Sequence, residues 1–324
     1  MKRKKTLVFS TVSYRYLARA IVALAPESLE LGELVRRRFP DRELYHRLAA
    51  SVRDRDIIIV GGTISDAETM EVYDLACLMH RYKARSLQII IPYFGYQTME
   101  RAVKPFEDVK AKNRALLLSS LIKPNFPVTI VMVDLHSEGI PEYFENGVGT
   151  EHLYAKAIVF KSIDRLKGVR PFVLGCTDAG RAKWCESLAR EIGVRIGFVF
   201  KHRVDGETIE ELAISADVDG CDVFIFDDMI RTGGTLINAG KGYRAKGARD
   251  IYVISTHGVL PGKALERLEN AVDDQGRKLF KHIVVTDSHP NAVRLEKRSR
   301  FLTVETIAQL LTDHLTANGG EGND

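Results

Sequence analysis

Two adjacent carboxylates close an apolar run and are followed at once by a glycine turn: residues 223–235 read Val-Phe-Ile-Phe-Asp-Asp-Met-Ile-Arg-Thr-Gly-Gly-Thr. The apolar residues 223–226 are continuous rather than alternating, which predicts a strand buried on both faces. Asp227 and Asp228 then fall at its carboxyl end, where open α/β sheets place ligands. Gly233 and Gly234 allow positive φ and close backbone approach, so several N–H groups can converge on one anion. Thr235 suits a helix N-cap, and the helix dipole adds to the attraction for phosphate. Acids beside a phosphate cradle point to a phosphorylated sugar, with the carboxylates holding hydroxyls or a metal ion. Each piece alone is ordinary turn chemistry. The order strand, acid pair, glycine loop, helix carries the reading.

Other groups of reactive residue types stand at predicted strand ends. Pro92-Tyr-Phe-Gly-Tyr follows an apolar run and leaves Glu100-Arg101 in a loop. Asp134 and His136 lie just past the run 129–133, where the imidazole serves either packing or a ligand. Gly175-Cys-Thr-Asp-Ala-Gly-Arg-Ala-Lys joins a strand to a helix, and Asp178, Gly180, Arg181 and Lys183 suggest an anion and metal corner. Cations at a helix start oppose the dipole unless an anion is bound. Lys201 and Arg203, two apart on an extended chain, can neutralise charge on a transferring phosphoryl group. Alone, such a pair is a solvated strand end. No Walker A sequence accompanies these groups: Gly240-Lys241 is followed by Gly242 where Ser or Thr is required.

The elements that must position them alternate. Apolar β-branched runs are expected as strands at 6–9, 57–60, 87–91, 129–133, 172–174, 196–200, 223–226, 251–254 and 282–285. Helical patterns cover 14–24, 67–82, 111–121, 180–192, 235–246, 262–270 and 304–315. This is an α/β architecture with largely parallel sheets. The run from Asp56 through Gly61-Gly62-Thr63 to residue 91 echoes the run from Asp222 to residue 254 at nearly equal spacing. Two similar Rossmann-like domains are therefore expected, 1–150 and 151–300, followed by a C-terminal helix and disordered tail over 301–324. The expected site lies between the halves at strand carboxyl ends. A chain of 324 residues suits two domains. No run is apolar enough to span a membrane, and the basic start lacks the apolar core of a signal peptide. Four scattered cysteines imply reduced thiols in a cytoplasm. A net charge of +4 is too small a footprint for nucleic acid.

In order and type these landmarks resemble the ribose-phosphate pyrophosphokinase (PRPP synthase) family over nearly the whole chain. Arg38-Phe-Pro-Asp-Arg-Glu is similar to that family's Arg-Phe-Ser-Asp-Gly-Glu, which implies ATP contacts for Phe39, Asp41 and Glu43, delivered to a neighbouring subunit. The string Pro92-Tyr-Phe-Gly-Tyr and Asp134-Leu-His match family strings, so His136 is implied at a magnesium–ATP site. Asp178 falls on a second metal-associated acid, and Lys201 and Arg203 on the Lys-x-Arg pair of the catalytic loop. The 227–235 stretch falls on the ribose-5-phosphate site: Asp227 and Asp228 for hydroxyls, Thr232, Gly233, Gly234 and Thr235 for the 5-phosphate. Phosphoribosyltransferases share this last motif without the others. The resemblance implies transfer of the β,γ-diphosphoryl group of ATP to the 1-hydroxyl of ribose 5-phosphate, with Mg²⁺ as cofactor. It also implies a homo-oligomer, dimer or hexamer, with no nucleic-acid or membrane partner.

The chain departs from the family pattern at three places. Arg231 replaces the family's third acid, and either grips the sugar phosphate or points to solvent. Thr98-Met99 replace an Arg-Gln that contacts ATP, ahead of Glu100-Arg101. The loop after Arg203 is rewritten, with fewer prolines and basic residues. A paralogue using another sugar phosphate or nucleotide donor, and a non-catalytic regulatory subunit, are the competing readings.

Overall fold

The Ile-, Val- and Phe-rich runs form central strands of two parallel sheets, as their unbroken apolar character requires. The computed structural model describes residues 4–121, 126–177, 182–204 and 209–317, with the backbone alone at 182–183, 200–204 and 209–213. The chain divides into two compact units, residues up to Tyr154 together with those from Ile307 onward, and Ala155–Thr306.

The first unit runs β1 (Thr6–Ser10), α1 (Arg15–Leu24), β2 (Leu29–Leu31), β3 (Leu34–Arg38), β4 (Leu44–Leu48), β5 (Asp56–Val60), α2 (Asp66–Arg81), β6 (Ser86–Ile91), α3 (Lys110–Ser119), β7 (Val128–Val133), a 3-10 turn (Ile140–Tyr143) and β8 (Gly149–Leu153). Its main sheet has the order β2-β1-β5-β6-β7-β8, all parallel, and β3 pairs with β4 as a separate antiparallel hairpin. Helix α2 starts where Ser65 accepts from the Glu68 amide, a side-chain cap that satisfies one orphan N–H.

The second unit runs α4 (Lys156–Leu166), β9 (Phe172–Cys176), α5 (Ala182–Ile192), β10 (Ile196–Val204), β11 (Ile209–Ile214), β12 (Asp222–Ile230), α6 (Gly234–Ala245), β13 (Ile251–Gly258), α7 (Ala264–Glu269), β14 (His282–Thr286), α8 (Pro290–Glu296) and β15 (Leu302–Glu305). Its sheet has the order β11-β10-β9-β12-β13-β14-β15, parallel except for the β10–β11 hairpin. Without β11, both main sheets follow one pattern, counting only the strands of that sheet: second, first, third, fourth, fifth, sixth. The α/β architecture of two similar, largely parallel halves is thus the one the alternating pattern predicted.

Helix α9 (Ala308–Ala317) returns to pack with α1 in the first unit. Val304, expected in that helix, lies instead in β15, since Leu302 and its neighbours pair along β14. Strand β12 shows why its run is continuous. Val223 and Ile225 join the apolar cluster on one face, while Phe224 and Phe226 join the one on the other. Phe226 stacks on Trp184 at 4.0 Å and Phe224 on Tyr252 at 4.7 Å. Each such side chain contributes about 1.5–3 kcal/mol of burial.

Candidate functional site

The acid pair is carried within β12, which runs on to Ile230 rather than ending at residue 226. Parallel pairing with β13 sustains it, with Asp227 opposite Ser255, Met229 opposite His257 and Ile230 opposite Gly258. Asp227 is half-buried and Asp228 buried, and the Asp228 amide donates to Asp227 Oδ1 at 3.0 Å. The turn that follows differs from expectation in one respect. Gly233 alone has positive φ (+80°), and it is the N-cap of α6, so Thr235 sits inside the first turn. No side chain caps this helix and no acid lies in its first turn. Its leading N–H groups are therefore suited to an external anion. A Cβ at Gly233 would lie 2.8 Å from Leu268 atoms, whereas one at Gly234 would meet nothing within 4 Å. Gly233 is a packing and conformational requirement; Gly234 leaves open space. Arg231, Thr232 and Thr235 are exposed around it.

A support not visible in the sequence holds this turn. The Leu260 amide donates to the Ile230 carbonyl at 3.0 Å, with Leu260 itself at φ +43°. Asn291 Nδ2 in turn donates to the carbonyls of Val259 and Leu260 at 2.7 and 2.8 Å. His289 caps α8, its Nδ1 accepting from the Asn291 amide at 3.2 Å, and burial lowers its pKa to about 4, with His257 adding to the effect. Neutral His289 thus keeps the acceptor that the cap needs. Nearby, His257 Nδ1 lies 2.8 Å from Ser288 Oγ.

Helix α6 also anchors two neighbouring strands. The Tyr243 hydroxyl receives the Cys176 amide at 3.1 Å and lies 2.6 Å from the Gly197 carbonyl, to which it donates. Burial, then the neighbouring Cys176, push this phenol far above its ordinary pKa, so it remains a donor. One side chain therefore ties the helix behind the glycine turn to β9 and β10. Strand β9 leads to Asp178, which with Gly180 and Arg181 lies outside the described residues. On β10, Lys201 pairs with Leu212 and Arg203 with Glu210 of β11. Their side chains, like that of Lys183, lie outside the described residues.

In the first unit, the turn after β6 is fixed by its glycine. A Cβ at Gly95 would lie 1.9 Å from the Thr63 carbonyl oxygen, and the Gly95 amide donates to Thr63 Oγ1 at 2.6 Å. Tyr96, at φ +61°, donates its hydroxyl to Asp66 at 2.8 Å, and Lys110 and Arg114 lie over its ring at 5.0 and 5.1 Å. That hydrogen bond, then the charge of Arg114, holds the Asp66 carboxyl below its ordinary range. Beyond this turn, Thr98 is half-buried and Met99 exposed, while Arg101 is exposed with its Nε 3.5 Å from Glu100.

The turn after β7 is held amide by amide. Asp134, buried at φ +38°, donates its N–H to Leu153 O at 2.9 Å. Leu135 N–H donates to His152 Nε2 at 2.8 Å, and His136 N–H to Gln97 Oε1 at 2.8 Å. Acceptance at Nε2 fixes the His152 tautomer, so Nδ1 donates to Glu138 Oε2 at 3.2 Å, which the Tyr154 hydroxyl also reaches at 2.8 Å. The His136 ring is left exposed. Gln97 thus joins the Tyr96–Arg101 stretch to the His136 turn. Sequence reading missed Gln97 and His152, and nothing local marks either one.

Phe39, Asp41 and Glu43 share the exposed tip of the β3–β4 hairpin. Phe39 N–H donates to Glu43 O and Arg42 N–H to Phe39 O, both at 2.9 Å, with Arg42 at φ +76°. Asp41 Oδ1 accepts from the Glu43 amide at 3.1 Å, and the Phe39 ring meets Tyr45 edge-on at 6.0 Å. The stem is anchored by Arg36, whose Nε lies 3.3 Å from Glu71 Oε1 and whose Nη2 donates to the Ser10 carbonyl. Among the described residues no group of three or more His, Cys, Asp or Glu forms a metal cluster, and no helix is long and apolar enough to cross a membrane. None of the four cysteines is in a disulfide.

Comparison with known proteins adds to this geometry. Residues 6–121 match the family profile described as the N-terminal domain of ribose phosphate pyrophosphokinase. Residues 204–317 match the phosphoribosyl synthetase-associated domain. Ribose-phosphate pyrophosphokinase of Campylobacter jejuni is 32% identical over 265 residues, 81% of each chain. That of Helicobacter hepaticus is 32% identical over 287 residues, covering 88% of this chain and 87% of its own. Among solved structures, phosphoribosylpyrophosphate synthetase from Mycobacterium smegmatis superposes with a TM-score of 0.85 at 26% identity, covering 98% of this chain and all of the other.

Proposed function

Because the chain belongs to the ribose-phosphate pyrophosphokinase family, we propose that it transfers the β,γ-diphosphoryl group of ATP to the 1-hydroxyl of ribose 5-phosphate, releasing AMP. One observation carries the acceptor side: the uncapped start of α6, open at Gly234, directly after two carboxylates on the same strand. Gly233, Gly234, Thr232 and Thr235 hold the 5-phosphate through backbone N–H and hydroxyl donors. Asp227 and Asp228 accept from the ribose hydroxyls and orient the ring, and Arg231 adds a cation beside the phosphate.

On the nucleotide side, His136, Thr98, Met99 and Arg101 contact ATP from the two turns that Gln97 links. Phe39, Asp41 and Glu43 contact the nucleotide of a neighbouring subunit, which makes the protein a homo-oligomer. An exposed aromatic on one hairpin tip with two carboxylates supports that assignment, since the ring stacks on a base and the acids accept from its amino group and ribose. Lys201 and Arg203 neutralise the charge that spreads over the transferring group as the bond from the α-phosphate oxygen to the β-phosphorus breaks. Mg²⁺ takes hard oxygen ligands, which the carboxylates here offer, and keeps part of its shell for water and substrate phosphates. His136 and Asp178 would hold it, with Asp227 and Asp228 as further oxygen donors. When bound, the ion neutralises phosphate charge and polarises the β-phosphorus. Free thiols agree with a cytoplasmic setting.

A second reading, a different donor or acceptor, is favoured by exposed Met99 and by Arg231 beside the phosphate turn. Mass spectrometry of reactions pairing ATP or other nucleoside triphosphates with several pentose phosphates separates the two. AMP and PRPP formed fastest from ATP and ribose 5-phosphate support the first. Faster turnover of another pair replaces it with the second.

A further inference from the structure

The β3–β4 hairpin forms a two-stranded sheet of its own, so no ladder of backbone hydrogen bonds fixes how its tip projects. Side chains must do that. On a strand, residues two apart share a face, and so do residues directly opposed on the partner strand. At the base of the hairpin Leu34 faces Leu48, and both pack against the apolar cluster of the first unit. One step further out, on that same face, Arg36 is opposed to His46.

Beyond this pair every residue from 37 to 45 is exposed. Among the described residues, their hydrogen bonds stay within the hairpin: Phe39 to Glu43, Arg42 to Phe39, Arg38 to Arg42 and Glu43 to Asp41. Whatever Arg36 and His46 touch is therefore the outermost hold of the body on the tip.

Both meet one carboxylate oxygen. Glu71 Oε1, on α2, lies 3.3 Å from Arg36 Nε and 3.5 Å from His46 Nε2. Arg36 Nη2 also donates to the Ser10 carbonyl at the end of β1. The side chains of Arg36, His46 and Glu71 are only 13, 8 and 7% exposed, so water screens these contacts little. Burial lowers the Arg36 pKa, and the charge of Glu71 opposes that shift. Without Glu71 a buried guanidinium would lose its counter-ion, and swinging the stem outward would return it to water. Helix α2 is a firm post for this contact, since its Val72, Leu75 and Met79 are wholly buried in the core.

We propose that Glu71 is a positioning residue for the reaction assigned above. By holding Arg36 and His46 together it aims the hairpin, so that Phe39, Asp41 and Glu43 reach the nucleotide of a neighbouring subunit. The proposal rests on that assignment of the tip. Glu71 itself touches no substrate and acts only through the stem.

Steady-state kinetics on the full-length protein test this, with ATP and ribose 5-phosphate varied in turn. Glu71→Gln keeps the shape and removes the charge, and should raise the KM for ATP about tenfold. Its kcat at saturating ATP and its KM for ribose 5-phosphate should stay at wild-type values. Glu71→Asp, which restores the charge, should recover part of the loss. The deciding comparison uses the tip variant Phe39→Ala/Asp41→Ala/Glu43→Ala, which changes exposed residues alone. Adding Glu71→Gln to it should raise the KM for ATP no further, because both changes remove the same contact. A rise of the same size that persists in the tip variant overturns the proposal. So does a fall in kcat with both KM values altered in Glu71→Gln, the mark of a merely structural role. An unchanged KM for ATP in Glu71→Gln, beside a raised one in the tip variant, overturns the proposal and leaves the reaction standing. An unchanged KM for ATP in the tip variant overturns the assignment of the tip, and the proposal with it.

Discussion

The two units carry the same Gly-Gly-Thr sequence after the third strand of sheets that, β11 apart, share one order, and use it in opposite ways. After β5, Gly61, Gly62 and Thr63 are all buried. A Cβ at Gly62 would lie 2.3 Å from the Tyr14 hydroxyl, and one at Gly61 2.7 Å from Thr11 and Val72. Tyr14, fully buried, fills the space. After β12, Gly234 faces open space and Thr232 and Thr235 are exposed. One turn is plugged by its own chain and serves packing, while the other faces open space. Residue types alone do not separate these outcomes; what approaches the glycine does.

The contrast can be broken at either turn. Gly234→Asp puts a carboxylate at the proposed phosphate position. It should raise the KM for ribose 5-phosphate roughly 100-fold or more, since like-charge juxtaposition costs several kcal/mol. Its melting temperature should stay at the wild-type value. Unchanged kinetics would mean that the second turn is as structural as the first.

Acid should separate the units next. His289, in the second unit, has its pKa lowered from 6.5 to about 4 by burial. Unfolded, the ring takes up its proton as pH falls below 6.5; folded, it does so only near 4. The stability it contributes is therefore complete above pH 6.5 and is lost between there and pH 4, up to about 3 kcal/mol. In the first unit, burial raises the carboxyl pKa of Glu68, which acts with the opposite sign: its share is present at low pH and lost as pH rises. Amide exchange followed from pH 7 to 4 should show protection falling first in the second unit. Simultaneous loss in both would remove this difference.

Gly62→Ala tests the plugged turn, where overpacking costs about 1–3 kcal/mol. Its unfolding midpoint in urea should drop, while the KM for ribose 5-phosphate holds. Adding Tyr14→Phe removes the nearest atom and should restore part of the loss. A weaker effect is expected at Gln97→Ala, which removes the acceptor of the His136 amide. The KM for ATP should rise about 3- to 10-fold, with that for ribose 5-phosphate unchanged. A uniform fall in kcat for all substrates would make Gln97 merely structural.

Much of this frame was legible in the chain. Buried parallel strands read as continuous apolar runs, so β5, β6, β7, β12, β13 and β14 could be placed within a residue or two at their starts. Several edge and hairpin elements could not. The residues of β8, Gly-Thr-Glu-His-Leu, are half-buried or exposed and lack periodicity, and β3 and β4 are rich in Arg. Helix α4 has neither a side-chain cap nor an acid in its first turn, so its sequence announces no start. At the candidate site, the succession of strand, glycine turn and helix over residues 223–235 could be read directly. Supports acting on a distant amide could not. Gln97 works on a residue 39 positions away, His152 on one 17 away and Tyr243 on one 67 away.

The central claim is that the open turn belongs to an enzyme that makes PRPP. Phosphorus NMR of the protein with Mg²⁺, ATP and ribose 5-phosphate tests it most directly. The predicted spectrum shows AMP and PRPP growing together in equal amounts, with both growing far more slowly in Gly234→Asp. ADP or orthophosphate in place of AMP, or equal rates in wild type and variant, would contradict it.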